Sequence, residues 1–279
     1  MKLERPEAQS VTNPLLEPLP DYDAPPLDEV VCGILFKPIE TLLVPHFGVF
    51  WERLKPEYPT CQEVAPLAPS LERLDDSPRP DLKISMLPRI WFVHQSDSQV
   101  IQVQRDRFLY NWRKRRPSDE DPRYPQVMDK FQNYLLNFQS FLNDLDIGTI
   151  IPLQYELTYI NLILQGSGWD NMSDISRVFP DFTWRPNKQR FLHEPEGINW
   201  QTSFRLQNRM GRLRVHIQKA QRRNDNHPLF RFELTARGMA NDTSPEARRA
   251  WFDSAHESAV RGFADITAEE LQRTLWRRK

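Results

Sequence analysis

The residues with the most suggestive chemistry in this chain are the cationic side chains of its second half. Residues 201–223 contain seven Lys and Arg residues and no Asp or Glu, in a chain whose formal net charge is −1. Arg205, Arg212 and Arg214 alternate with apolar residues, and this period of two places them on the solvent face of neighbouring strands. Guanidinium groups on an open sheet face bind carboxylates or phosphates. The run therefore predicts a contact surface for an acidic macromolecule.

A second basic group lies in the first half, directly after the aromatic residues Tyr110 and Trp112. Aromatic rings beside arginines can stack bases while the cations contact phosphates. We combine the two groups into one predicted partner-binding surface, with a protein partner as the first interpretation and nucleic acid as the alternative. Its residues are Arg113, Lys114, Arg115, Arg116, Arg205, Arg209, Arg212 and Arg214.

The simplest alternative is a solvated sheet face without a partner. In that case the arginines pair with carboxylates of neighbouring strands, and the candidates are Glu156, Asp106 and Glu233. The acidic N-terminal segment is a further candidate to lie on this surface.

No catalytic, cofactor or metal motif accompanies the basic groups. The glycines Gly166 and Gly168 lack the third glycine and the lysine of a phosphate-binding loop. The six histidines are scattered, without metal-ligand spacing. His256 and Glu257 are neighbours that could form an acid–base pair, but a position on a helix surface is the favoured interpretation. We therefore predict a non-enzymatic binding or adaptor protein without catalytic residues, cofactor or metal, and keep an enzyme with a pocket between two halves as the rival.

The elements that position these side chains occur in the same order twice. Each copy contains a strand, a short helix, three strands and a long helix, from about residue 29 to 145 and again from about 154 to 267. Both long helices begin at a proline, Pro125 and Pro245, and Ser244 is a suitable N-cap for the second. Their apolar stripes predict that Phe131 and Phe138, like Trp251 and Phe263, are buried against sheets. The predicted strands are 29–36, 89–93, 99–104, 108–112, 153–164, 200–206, 213–217 and 229–234.

The predicted fold class is α+β, a tandem duplication of a β-α-β-β-β-α unit with antiparallel sheets and long helices packed on one face. Two copies joined edge to edge make one eight-stranded sheet with an open concave face. Two sheets that close around a pocket, as in helix-grip folds, are the alternative. The predicted domains are an extended acidic arm at 1–26, a first repeat at 27–148 and a second repeat at 149–279.

Composition is typical of a soluble globular protein. The chain has 24 prolines beside 9 glycines, concentrated in the arm and in a connection from 56 to 88 that is long enough to be functional. Cys32 lies in a strand and is expected to be a buried apolar residue rather than part of a disulfide. No stretch is apolar enough to predict a membrane span or a secretion signal. We expect a cytoplasmic protein that does not bind membranes, of undetermined oligomeric state.

Three N-terminal motifs and the closing helix resemble a sporadically distributed bacterial family of uncharacterised proteins. The motifs are PPLDEVVCGILFKP at 25–38, PHFGVFWERL at 45–54, DRFLYNWRK at 106–114 and FDSAHESAVRGF at 252–263. The resemblance covers nearly the whole chain. It implies an association with mobile or defence-related genes, and it supplies no activity, substrate or catalytic residue.

Overall fold

The architecture is a single antiparallel sheet with helices against it. It is taken from a computed structural model, which describes residues 17–72, 87–116, 119–183, 191–207 and 210–279. Within these ranges none of the helices combines the length and the apolar character that a bilayer span requires. The strands are β1 Leu27–Phe36, β2 Thr60–Val64, β3 Arg89–Val93, β4 Gln99–Gln104, β5 Arg107–Arg113, β6 Pro152–Leu164, β7 Asn199–Arg205, β8 Gly211–Gln221 and β9 Pro228–Gly238. The helices are α1 Val44–Leu54, α2 Tyr124–Asp144, α3 Ile175–Val178, α4 Pro245–Ile266 and α5 Glu269–Thr274.

The strand order shows how the two predicted repeats meet. The described sheet runs β2-β3-β4-β5-β1-β6-β9-β8-β7, and all neighbours are antiparallel. In the first half, β1 lies at the centre of the sheet, β5 lies beside it, and β4, β3 and β2 follow outward. In the second half, β6 lies at the centre, and β9, β8 and β7 follow outward. The predicted boundary at 148 falls between α2 and β6, and the sheet continues across it through the β1–β6 pair.

The core lies between one face of the sheet and the helices. α2 and α4 meet where the Phe131 and Phe252 rings approach to 5.2 Å between centroids, and Phe138 packs on Phe36 and Phe108 of the sheet. Burial of the four helical aromatic residues named above is confirmed, with Phe263 the most exposed at 6%. Large aromatic side chains dominate this interface because each removes a large apolar area from water.

Two features of the predicted sheet are corrected by the structure. The sheet has nine strands rather than eight, because β2 precedes β3 at the outer edge. β2 has the sequence TCQEV and is mostly exposed, so it lacks the apolar alternation by which strands are recognised. The described strands form a single sheet, so they do not form the two closing sheets of the helix-grip alternative.

The described part of the N-terminal arm contacts the C-terminal end of the chain. Tyr22 forms a β-bridge with Arg278 and its ring contacts Phe263 edge-on at 5.4 Å. The amide of Ala24 donates to the carbonyl of Trp276. A local sequence pattern could not predict this contact, because the residues that the arm contacts lie at the C-terminal end of the chain. Residues 22–24 of the arm thus meet the C-terminal segment.

Candidate functional site

The sheet face opposite the helices, here called the open face, is polar yet extensively buried. Strand alternation sends one set of side chains to the core, and the other set points to this face. Several of these polar side chains are almost inaccessible to solvent. They are Gln102, Gln104, Arg107, Asn111, Gln154, Thr158 and Thr235. Buried polar groups require hydrogen-bond partners, so these side chains must bond to other parts of the protein and not to water alone.

Part of the cover is a stretch of the protein's own chain. Residues 65–72, here called the crossing segment, follow β2 and run across the strands from β4 toward β8. The Gln104 side chain accepts from the amide of Leu67 at 2.9 Å and donates to its carbonyl at 3.1 Å. The Gln154 side chain donates to the carbonyl of Ser70 at 2.9 Å and accepts from the amide of Glu72 at 2.6 Å. Two side-chain amides thus hold the backbone of an extended segment.

The crossing segment ends at a carboxylate clamped by two arginines. Arg212 Nη1 donates to Glu72 at 2.8 Å, and Arg214 donates through Nε at 2.7 Å and Nη2 at 3.2 Å. These two residues are here called the β8 arginines. The Glu72 side chain is 2% exposed. Burial by itself raises the pKa of Glu72, but the hydrogen bonds and charges of Arg214 and Arg212 outweigh it, so the pKa is lowered.

Next to this clamp the open face carries a shallow polar groove of about 430 Å³. It extends over β7, β8 and β9, beyond the end of the crossing segment. Arg214 belongs both to the clamp and to the groove, and half of its side chain is exposed. The other polar side chains of the groove are Gln201, Thr202, Ser203, His216, Glu233, Thr235 and Arg237.

The predicted arginines of the second half lie at this end of the sheet. Arg205 is exposed on β7 and pairs in register with Arg212 of β8. Arg214 pairs in register with Ser203, so alternation places these arginines on the open face as the sequence predicted. Arg209 lies outside the described residues.

The basic group of the first half begins on a different strand of the same sheet. Arg113 ends β5, and the strand registers align Arg214 with Asn111 and Arg212 with Leu109, two and four residues before Arg113. Four strand steps separate β5 from β8, so the two groups are about 19 Å apart across the sheet and about 7–13 Å apart along it. Arg113 and Arg115 bind Asp97, and Lys114 binds Asp121. Arg116 is exposed.

The carboxylates that the sequence offered as arginine partners do form ion pairs on the open face. Glu156 accepts from Arg237 at 2.5 Å, and Asp106 accepts from Arg107 at 3.3 Å. Glu233 accepts from its strand neighbour Arg231. The face therefore carries mixed charge, and the β8 arginines take their carboxylate from the crossing segment instead.

A separate cleft of about 840 Å³ lies on the helix side, between the start of α2 and α4. Its floor is the central strands, and His256 of α4 projects into it. The His256 ring stacks on Tyr124 with centroids 4.0 Å apart, and its Nδ1 is 2.7 Å from the Tyr159 hydroxyl. Glu257 instead accepts from Arg261 at 2.8 Å. The acid–base pair considered from sequence is absent here, and His256 faces a cleft rather than bulk solvent.

Electrostatics weigh against acid–base chemistry in this cleft. Burial lowers the pKa of His256 to about 4, which the charges of Asp253 and Glu257 only partly offset. Such a histidine is neutral at pH 7 and a weak base, whereas an efficient general base has a pKa near the working pH. Among the described residues, no group of three or more His, Cys, Asp or Glu side chains is placed to hold a metal ion.

Sequence reasoning missed the residues that hold the crossing segment. Gln104 was recognised only as the polar side of a strand, and Glu72 stands in a proline-rich connection without any periodic signal. The only available hint was the length of that connection. Comparison with known proteins gives no match to a family model, to a curated protein or to a solved structure.

Proposed function

We propose that this protein is a non-enzymatic binding protein that presents the β7–β8–β9 end of its open face to an acidic protein partner. The observation that carries the proposal is the polar groove beside the clamp, which includes the half-exposed Arg214, together with the exposed Arg205 on β7 at the register of Arg212. Arginine is suited to such surfaces because its planar fork recognises carboxylates with defined geometry.

A protein partner is favoured over nucleic acid because the face has mixed charge. Nucleic-acid affinity depends on cations that neutralise successive phosphates. Here Arg237 and Arg231 are already opposite Glu156 and Glu233. A surface of alternating charges and hydrogen-bonding groups is suited to a polypeptide, whose own charges and amides can match it.

The proposal includes an origin by duplication. Each half of the sheet has its first strand at the centre and its last strand next to it, and each half closes with a helix longer than 20 residues. Duplication of one β-α-β-β-β-α unit accounts for the similar strand order of the two halves.

The similarity of the motifs to a sporadically distributed bacterial family adds the proposal of a role in mobile or defence-related systems.

The test is an anisotropy titration at low salt with labelled poly-glutamate and with single- and double-stranded DNA and RNA. The test variant changes Arg205 and Arg214 to Glu, and the matched control changes Arg115 and Arg116 to Glu. We expect poly-glutamate to bind the wild type and the control, with at least a tenfold loss in the test variant.

Three outcomes would overturn the proposal. One is that poly-glutamate does not bind at all, and another is equal binding by the test and control variants. The third is tighter binding of a nucleic acid, with a steep salt dependence that the Arg205 and Arg214 reversals remove, which would establish the nucleic-acid alternative instead.

A further inference from the structure

We infer that the open face is a binding site for an extended acidic peptide segment of a partner, which takes the place of residues 67–72. This inference rests on the proposed function and names the chemistry of the ligand. The crossing segment is then an internal occupant of the site, and its contacts describe what the site recognises.

The first part of the recognition is directed at the backbone. Gln104 makes two hydrogen bonds to the backbone of Leu67, and Gln154 bridges the carbonyl of Ser70 and the amide of Glu72. Arg107 Nη2 adds a bond to the carbonyl of Ala68 at 3.2 Å. Every residue except proline offers the same amide and carbonyl, so these contacts accept many sequences in an extended conformation.

The second part is specific for a carboxylate. The β8 arginines surround Glu72 with three N–O contacts of 2.7 to 3.2 Å, and the side chain is 2% exposed. Charge-assisted bonds of this kind are stronger than neutral ones. The site therefore requires an acidic side chain at the position of Glu72, five residues after the residue bound by Gln104.

The crossing segment is suited to exchange because little apolar surface holds it. None of residues 65–72 falls in the buried class, and none belongs to the hydrophobic core. Segments with few buried apolar contacts open at low free energy while the core remains folded. By contrast, the residues that hold it are fixed in the sheet, and Gln104 and Gln154 are at most 1% exposed.

An internal occupant lowers the apparent affinity for any partner segment. A tethered segment acts at an effective concentration of about millimolar for a short flexible link, and an incoming peptide has to compete with it. A partner that supplies the same contacts together with additional ones in the adjoining groove would displace it. The site is thus closed by default and opened by a partner that matches it.

The experiment uses a fluorescein-labelled peptide with the sequence of residues 64–72, VAPLAPSLE. It is titrated against the wild type and against Glu72→Lys, which places a cation beside the β8 arginines and weakens the internal occupant. We expect at least tenfold tighter binding to Glu72→Lys than to the wild type. A peptide that ends in Gln instead of Glu should bind at least tenfold more weakly, because it lacks the carboxylate.

Hydrogen exchange supplies a readout that requires no variant. The amides of Leu67 and Glu72 are hydrogen-bonded in the closed protein. Saturating peptide should accelerate their exchange in the wild type, while amides of the β8–β9 pair stay protected.

A matched control variant for the peptide titration is Asp97→Lys. It reverses the charge of the exposed carboxylate bound by Arg113 and Arg115 and should leave peptide affinity at the wild-type value.

The inference is overturned if Glu72→Lys binds the peptide no better than the wild type, or if the exchange rates of the two amides do not respond. Its failure is separable from failure of the proposed function. If poly-glutamate still binds through Arg205 and Arg214 while the peptide does not exchange, the binding face stands and only the exchange mechanism falls. A circular dichroism melt of Glu72→Lys checks that the variant is folded.

Discussion

Two carboxylates in this protein are each held by two arginines that stand two positions apart, yet their environments differ. Glu72 is 2% exposed, and its β8 arginines are at least 140 residues away in sequence. The Asp97 side chain is 57% exposed and binds Arg113 and Arg115, which are 16 and 18 residues away. Two arginines at the same spacing thus form a buried clamp on β8 and an exposed cluster where β5 ends.

Arginine spacing alone therefore does not define a site. Exposed ion pairs contribute little because water and salt screen them. A buried carboxylate depends on its partners, since leaving it without them carries a desolvation cost. We therefore assign a recognition role to the clamp at Glu72 and a local role to the cluster at Asp97.

The largest effect is expected in the aromatic core of the first half of the chain. Phe138 is fully buried and contacts the rings of Phe36, Phe50 and Phe108. Phe138→Ala should lower the free energy of unfolding by about 3–5 kcal/mol, because it leaves a cavity in the aromatic core. Urea denaturation measures the loss, and a value below about 1 kcal/mol would contradict the observed packing.

The second prediction compares the two carboxylates directly. Glu72→Gln should lower the free energy of unfolding by about 1–3 kcal/mol, because the clamp loses its charged acceptor in a buried position. Asp97→Asn should cost no more than about 1 kcal/mol, as expected for an exposed pair. Urea melts of both variants at neutral pH provide the comparison. Equal losses would mean that burial does not distinguish the two arginine pairs.

The third prediction concerns acidification, and two glutamates should act in opposite directions. The lowered pKa of Glu72 means that its stabilisation is present above the unfolded pKa, about 4.3, and is lost as pH falls through the folded value. Burial raises the pKa of Glu29, with the hydrogen bond from Asn111 opposing. The Glu29 carboxyl takes up a proton at a higher pH in the folded protein than in the unfolded chain. Its protonation therefore favours the folded state as pH falls from neutral toward about 4.3.

Denaturant melts at several pH values separate these two terms. Glu72→Gln should flatten the loss of stability below the unfolded pKa relative to the wild type. Glu29→Gln should remove the gain in stability that the wild type shows as pH falls from neutral toward the unfolded pKa of about 4.3. The same pH profile for both variants would contradict the assigned directions.

The smallest effect is expected from salt. Raising the salt concentration from about 0.1 M to about 1 M shortens the screening length from about 10 Å to about 3 Å. The stability difference between wild type and Asp97→Asn should then vanish, whereas that between wild type and Glu72→Gln should largely remain. Loss of both differences at high salt would show that water reaches the clamp as easily as the exposed cluster.

Most of the local structure could be predicted from short stretches of the sequence. Two predicted strands, Arg89–Val93 and Gln99–Gln104, have the observed bounds. Ser244 caps α4 by accepting from the amide of Ala247. The mixed α+β class and the side of the strands on which Arg212 and Arg214 lie were also predictable. All of these depend on a period of two or of three to four residues, or on a cap, and such signals are complete within a short window.

Which side chains contact each other depends on the three-dimensional arrangement of the strands. The strand order placed Arg113 and Arg214 four strand steps apart in one sheet, although both belong to similar basic runs of the sequence. It also laid the crossing segment, residues 65–72, over the open face, so that Glu72 reached arginines 140 and 142 residues away. Contacts at such separations depend on how the whole chain folds back, and no local pattern in the sequence records them. The burial of His256 beside Tyr124 and Tyr159 has the same origin.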